Sequence, residues 1–198
     1  MTHALTRRDL LAGAAALATV IALPAQAMTL GQAQAHVEQL LAEVNRIIAS
    51  GAPESVMIGE FGGVFDRFAD VPTIARYALG VDARAASAGQ LRSFTAAFRD
   101  YIARKYGRRF REFIGGRVEF VTARQIPNGI EVETRAVLQG QAPFRVDWHV
   151  SDASGRIAFF NIIIDGVNML LAERTEIQAM LDQRGGSLDR LTRDIAGA

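Results

Sequence analysis

The sequence predicts an α+β protein: helices first, then a curved antiparallel sheet of four strands, then helices again. Three observations lead there. Apolar residues recur at spacings of three and four as far as Phe113, the period drops to two between residues 117 and 164, and helical spacing returns after Met169. The most informative stretch is residues 157–164, IAFFNIII. In a strand Ile157, Phe159 and Ile163 point one way and Ala158, Phe160, Ile162 and Ile164 the other, and only Asn161 is polar. Such a strand needs apolar cover on both faces. Helices suffice on one side; on the other, a ligand is possible.

Before the fold comes a leader. Thr6-Arg7-Arg8-Asp9-Leu10-Leu11 is a twin-arginine pattern, an apolar run continues to Leu23, and Pro24-Ala25-Gln26-Ala27 supplies an A-x-A cleavage site. The run is too short for a permanent membrane span. Residues 1–27 are therefore expected to be a signal peptide for periplasmic export, and residues 28–198 a single soluble domain. The whole chain carries a formal charge of +1, and loss of Arg7, Arg8 and Asp9 brings it to about zero. That balance argues against general nucleic-acid binding, which needs a strong basic excess. There is no cysteine, which excludes disulfides, thiolate metal sites and a lipid-modified N-terminal cysteine.

Residues 30–50 carry Val37, Leu40, Leu41, Val44, Ile47 and Ile48 at helical spacing, and Gly51-Ala52-Pro53 stops that helix. Pro53 opens a second helix bearing Val56, Met57, Phe61, Val64, Phe65 and Phe68, weakened by Gly62-Gly63. Asp70 caps a short helix over residues 71–79 that Gly80 ends. Ser87-Ala88-Gly89-Gln90 is a capping box for a long helix with Leu91, Phe94, Phe98, Tyr101, Ile102 and Tyr106 on one side. Gly107 is expected to kink it before Phe110 and Phe113. Its other side bears Arg104, Lys105, Arg108, Arg109 and Arg111.

Strands follow at residues 117–125 and 130–138, joined by the turn Pro127-Asn128-Gly129. A third carries Phe144, Val146, Trp148 and Val150 alternating with Arg145, Asp147, His149 and Ser151, and a tight turn leads to the fourth. Short turns between successive strands make an antiparallel meander. Asp165-Gly166 breaks the last strand, Asn168 caps a helix from Met169 to about Arg184, and Ser187 caps a final short one.

The chemistry-bearing residues are few. His36 is expected at the surface. Asp147-x-His149 shares one strand face and is expected to meet solvent; it lacks the further ligands a metal site needs. Asp165 reads as turn chemistry rather than a general base. No nucleophile elbow, phosphate loop, zinc-protease helix or dinucleotide fingerprint is present. Arg104, Arg108 and Arg111 fall on one helical row suited to an anionic partner or headgroup.

Ile74-Ala75-Arg76-Tyr77-Ala78-Leu79-Gly80, then Ser87-x-x-Gln90-x-x-x-Phe94-x-x-x-Phe98, then Tyr101, Tyr106 and Asp165-Gly166-Val167-Asn168-Met169-Leu170, resemble the MlaC family of periplasmic phospholipid-binding proteins, also called the toluene-tolerance family. The chain departs from the family pattern at Val81-Asp82-Ala83-Arg84, which lacks a tryptophan, and at Asn161 and Asn168, where aspartate and serine are usual.

The resemblance implies a nuclear-transport-factor-like sheet whose helices enclose an apolar cavity for acyl chains. It implies a non-enzymatic carrier without cofactor, monomeric, exchanging phospholipid with an inner-membrane ABC transporter containing a mammalian-cell-entry-domain protein and with an outer-membrane lipoprotein complex. A hopanoid carrier is the alternative ligand class. Two other readings are a small-molecule enzyme on the same cone-shaped fold, with Asp147, His149 or Asp165 as base, and a purely structural or adaptor protein, which would have a filled core and no cavity. The expected lining is Ile74, Tyr77, Phe94, Phe98, Tyr101, Tyr106, Phe110, Val132, Val146, Trp148, Phe160, Ile162, Ile164 and Val167, with Arg104, Arg108 and Arg111 as partner or headgroup contacts. Burying about thirty methylenes at roughly 0.8 kcal/mol each spares on the order of 24 kcal/mol of exposure to water, which calls for an enclosed pocket rather than a shallow patch.

Overall fold

The computed structural model describes residues 27–108, 116–138 and 140–197. The expected signal peptide lies almost wholly outside them, as do Phe110 and Arg111. Among the described residues six helices and five strands follow one another, the helices and four of the strands as predicted in kind: α1 (Leu30–Ala49), α2 (Glu54–Phe68), α3 (Val71–Leu79), α4 (Ala88–Gly107), β1 (Arg117–Ile126), β2 (Gly129–Val137), β3 (Phe144–Ser151), β4 (Ala158–Ile164), β5 (Val167–Asn168), α5 (Met169–Asp182) and α6 (Leu188–Gly197). A short 3-10 turn, Gly80–Arg84, follows α3.

The sheet is an open antiparallel meander in the order β1-β2-β3-β4-β5. The four expected strands are all present. The two-residue β5, not foreseen, forms because the tight turn at Asp165-Gly166 folds Val167 and Asn168 back on Ile164 and Ile163. Asp165 holds a positive φ of 48° and Gly166 one of 83°, which accounts for the turn chemistry at this pair. The helix starts also follow local sequence. Ser87 and Gln90 form a reciprocal capping box on α4, Asp70 accepts from the Thr73 amide, and Asn168 accepts from the Leu171 amide. Thr29 and Gln32 add a second capping box, on α1.

α2 runs unbroken through Gly62-Gly63 because the missing side chain at Gly62 leaves room for the Arg99 guanidinium, which a Cβ there would approach to 2.8 Å. The C-terminal end of α2 is tied to the sheet. Arg156 donates to the carbonyls of Arg67, Asp66 and Ala69, and the Asp70 amide donates to Phe159 O at 2.8 Å.

The apolar core lies on one face of the sheet. Cross-strand pairing puts Val132 beside Trp148 and Trp148 beside Ile162, with Val146 beside Ile164. A bulge between His149 and Val150 pairs Val150 with Phe159, so Phe159, not Phe160, joins this inner face. α1, α2, α3 and α5 lie against the strands, while the main neighbours of α4 are α2, α3 and α6. α4 thus belongs to an outer helical layer, and its Phe94 and Phe98 are fully buried among helices.

Candidate functional site

The concavity under the sheet-facing helices is a slot of about 280 Å³ between α1 and the β1–β2 edge of the inner face. Its roof is one side of α1, including Gln34, Val37, Leu41 and Ala42; its floor is Val118, Phe120, Val132 and Thr134. The spacing of three and four along α1 places those roof residues on one stripe, and strand alternation places the floor residues on one face. Glu38 and Asn45 add polar groups to the α1 side of the lining. Trp148 Nε1 donates to Thr134 Oγ1, which in turn donates to Val146 O, so the one hydroxyl in the floor is satisfied within the protein.

β1, which floors the slot, is an edge strand with a register shift between Phe120 and Thr122. Phe120 is 39% exposed and Val121 49%.

About thirty methylenes at about 30 Å³ each occupy on the order of 900 Å³. The slot is therefore much smaller than an enclosed cavity able to hold both chains of a diacyl lipid. The volume in question is taken by side chains: Val132, Val150 and Ile130 are fully buried, and Trp148 meets Phe159 edge-on with ring centroids 5.6 Å apart.

Of the expected lining residues, Val132 borders the slot. Val146, Trp148, Ile162 and Ile164 share its face of the sheet. Ile74, Phe94 and Phe98 are buried in the helical part of the same core. Phe160 turns to the opposite face, its ring 5.8 Å from that of His149, because the bulge reverses the alternation at this point. Tyr77 and Val167 lie at the surface, 39% and 56% exposed.

Tyr101 and Tyr106 instead serve a polar lock between α4 and α5. Their hydroxyls donate to Glu176 and Glu173 respectively, and Lys105 Nζ reaches Glu173 Oε1 at 2.7 Å and Glu176 Oε2 at 2.6 Å. Burial, reinforced by these bonds, raises both phenols above their ordinary range. For Glu176 burial opposes ionisation, but the bonds from Lys105 and Tyr101 outweigh it and hold the carboxyl below its usual range. Arg104, expected as a contact, donates inward to the Ile195 carbonyl on α6, while Arg108 is exposed at the end of α4.

The titratable candidates lie away from the slot. Asp147 and His149 are on the outer face and are drawn into an ion network rather than meeting solvent as expected. Asp147 is buried under Arg145, whose Nε lies 2.7 Å away, and His149 Nε2 is 3.2 Å from Glu131 Oε2. Burial works against ionisation of Glu131, yet Arg124 and His149 outweigh it and keep the carboxyl below its usual range. His36 also departs from expectation. It is half-buried beneath the end of α2, with Nε2 3.0 Å from the Phe68 carbonyl oxygen, and desolvation pushes its imidazole below the ordinary 6.5. No cluster of three or more metal-ligating side chains occurs among the described residues.

α1 and β1 were absent from the expected lining. A signal was available: Val37 and Leu41 are four apart on a helix whose neighbouring Leu40 and Ile47 already fill the core. One apolar stripe too wide for one packing contact marks a helix that also faces something else.

An open curved sheet with helices over one face, and a slot of mixed apolar and polar lining under the helix at its edge, defines a small α+β domain. The chain belongs to the MlaC family, described as MlaC protein, which matches over residues 34–196. Among solved structures it is similar to a phospholipid-binding protein from Ralstonia solanacearum in complex with a phospholipid. The TM-score is 0.67 at 18% identity, over 83% of this chain and 98% of that one. At that identity the likeness is one of fold.

Proposed function

We propose that this protein is a periplasmic phospholipid carrier. It shuttles lipid between the outer membrane and an inner-membrane ABC transporter complex containing a mammalian-cell-entry-domain protein, with an outer-membrane lipoprotein complex as the other partner. Its role is maintenance of outer-membrane asymmetry. The observation that carries the reading is the slot between α1 and the inner face of β1–β2, which is continuous with the apolar core. Family membership, the phospholipid held by the Ralstonia solanacearum protein and the twin-arginine leader all support it.

The small volume gives the mechanism its form. Acyl chains enter as α1 lifts from β1 and β2, because the slot lies between α1 and these strands and β1 is the edge of the sheet. Each methylene transferred into the widened slot gains roughly 0.8 kcal/mol, which offsets the cost of parting α1 from the sheet. The lining is Val132, Val146, Trp148, Ile162 and Ile164 from the sheet, and Val37 and Leu41 from α1. No bond is made or broken. The leader directs the folded chain through the twin-arginine route, and residues 28–198 form the working domain.

Organic extraction of the purified mature protein followed by mass spectrometry tests the reading. The expected result is co-purified phospholipid, reduced at least severalfold in Leu41→Trp, which fills the slot from the roof. A mature protein that carries no lipid and takes none up from liposomes would overturn it.

A further inference from the structure

A second concavity, of about 340 Å³, opens on the surface where α3, the 3-10 turn and α5 meet. Arg76, Arg84 and Arg174 converge on it, and no carboxylate lines it. Several arginines elsewhere are neutralised, Arg99 by Asp66 and Asp100, Arg145 by Asp147 and Glu133, and Arg46 by Glu43 and Glu60; what sets the cleft apart is that three without an ion pair line one recess. The three cleft arginines form no ion pair among the described residues. The neighbouring Asp82 is turned toward Gln178 Nε2, 3.4 Å away. In a chain of formal charge +1, three unpaired guanidiniums around one cleft are a local concentration of positive charge, not a property of the whole surface.

We propose that this cleft docks an acidic segment of a partner protein. Arg174 is already held for the purpose. Its guanidinium carbon lies 5.2 Å from the centroid of the Tyr77 ring, and its Nη2 would come within 3.0 Å of a side chain at Gly80. Gly80 has a φ of +58°, so its backbone and its lack of a side chain together leave the space in which the guanidinium sits. A planar fork stacked in place loses little freedom on binding a carboxylate and offers it two parallel donors.

The rim adds apolar contact from the exposed Tyr77 and Val81, giving the arginine-and-tyrosine composition in which interface energy concentrates. Chemistry selects the class of partner: a forked guanidinium held in place matches the two oxygens of a carboxylate, the group an acidic segment presents repeatedly along its length. The proposal is independent of the lipid reading, since α3 and α5 contribute no residue to the slot.

The test is fluorescence anisotropy of a labelled peptide of repeated Asp-Glu-Leu, titrated with the mature protein. Saturable binding that weakens as salt rises is expected, with at least about a tenfold loss in the Arg76→Glu/Arg84→Glu double variant. Both positions are exposed, so an unchanged melting temperature verifies that this variant is folded. Arg193→Glu, on exposed α6 surface, should bind as the wild type does. Absence of peptide binding, equal binding by the double variant, or equal loss in Arg193→Glu overturns the proposal. Binding to phosphatidylglycerol vesicles through these arginines, without peptide binding, overturns it in favour of a membrane surface.

Discussion

α1 and α4 are helices of equal length, each started by a capping box, yet they are held in opposite ways. α4 is enclosed by α2, α3 and α6, its Phe94 and Phe98 have no exposed surface, and its last turn is clamped to α5 by Lys105, Tyr101 and Tyr106. α1 lies on the β1–β2 edge of the sheet with a slot beneath it. Equal local propensity thus leaves one helix as scaffold and the other as cover. What differs is what packs against each, helices around α4 but α2 and the sheet edge around α1.

Changes to the scaffold should produce the largest effects. Phe98→Ala removes a fully buried ring from the helical core and is expected to destabilise by about 3–5 kcal/mol in urea unfolding. A loss under about 1 kcal/mol would mean that this region repacks freely and is not the rigid half. Gly107→Ala comes next. The new methyl would lie 3.0 Å from Ile58 Cγ1 and 3.2 Å from Ile58 Cα, where α2 and α4 cross, so Ile58 must shift to admit it. A loss of about 1–3 kcal/mol is expected, with lipid content per folded molecule unchanged.

Glu173→Gln keeps the shape of the lock but weakens its hold on Lys105 and Tyr106. About 1–3 kcal/mol should be lost.

Changes to the cover should alter binding more than stability. Phe120→Ala, in the part-exposed floor of the slot, is expected to shift unfolding by no more than about 0.5 kcal/mol. It should nevertheless lower retained phospholipid measurably by mass spectrometry. A loss of stability as large as that of Phe98→Ala would erase the distinction between the two regions.

The smallest effect concerns acid. The folded-state pKa of His36 is depressed, so protons bind more readily wherever His36 is exposed. Its contribution to holding α1 against α2 is full above the ordinary 6.5 and is lost as pH falls below that value. The urea midpoint should decline over this range, and His36→Gln should flatten the decline.

Most of the secondary structure was legible because its signals are local. Ser87 with Gln90, Asp70, Asn168 and Asp165-Gly166 each act within a few residues, and the structure uses all of them for the caps and turns they announced. The site was legible only in part. Val132, Val146 and Trp148 follow from simple alternation, but Phe160 does not, since the bulge after His149 reverses its face and no residue type announces it. Tyr101 and Tyr106 look apolar in a helical stripe, and their hydroxyls matter only because Glu173 and Glu176, more than sixty positions away, arrive opposite them.

By itself the sequence determined the order of helices and strands, the caps that start them, the open meander and the family resemblance. These depend on periodicity and on contacts between near neighbours in the chain. The tertiary structure alone decided that α4 stands in a second layer, that α1 covers a slot of limited volume, and that Arg76, Arg84 and Arg174 share one cleft. Those outcomes depend on distances between elements remote in sequence, and packing sets such distances only when the whole core closes.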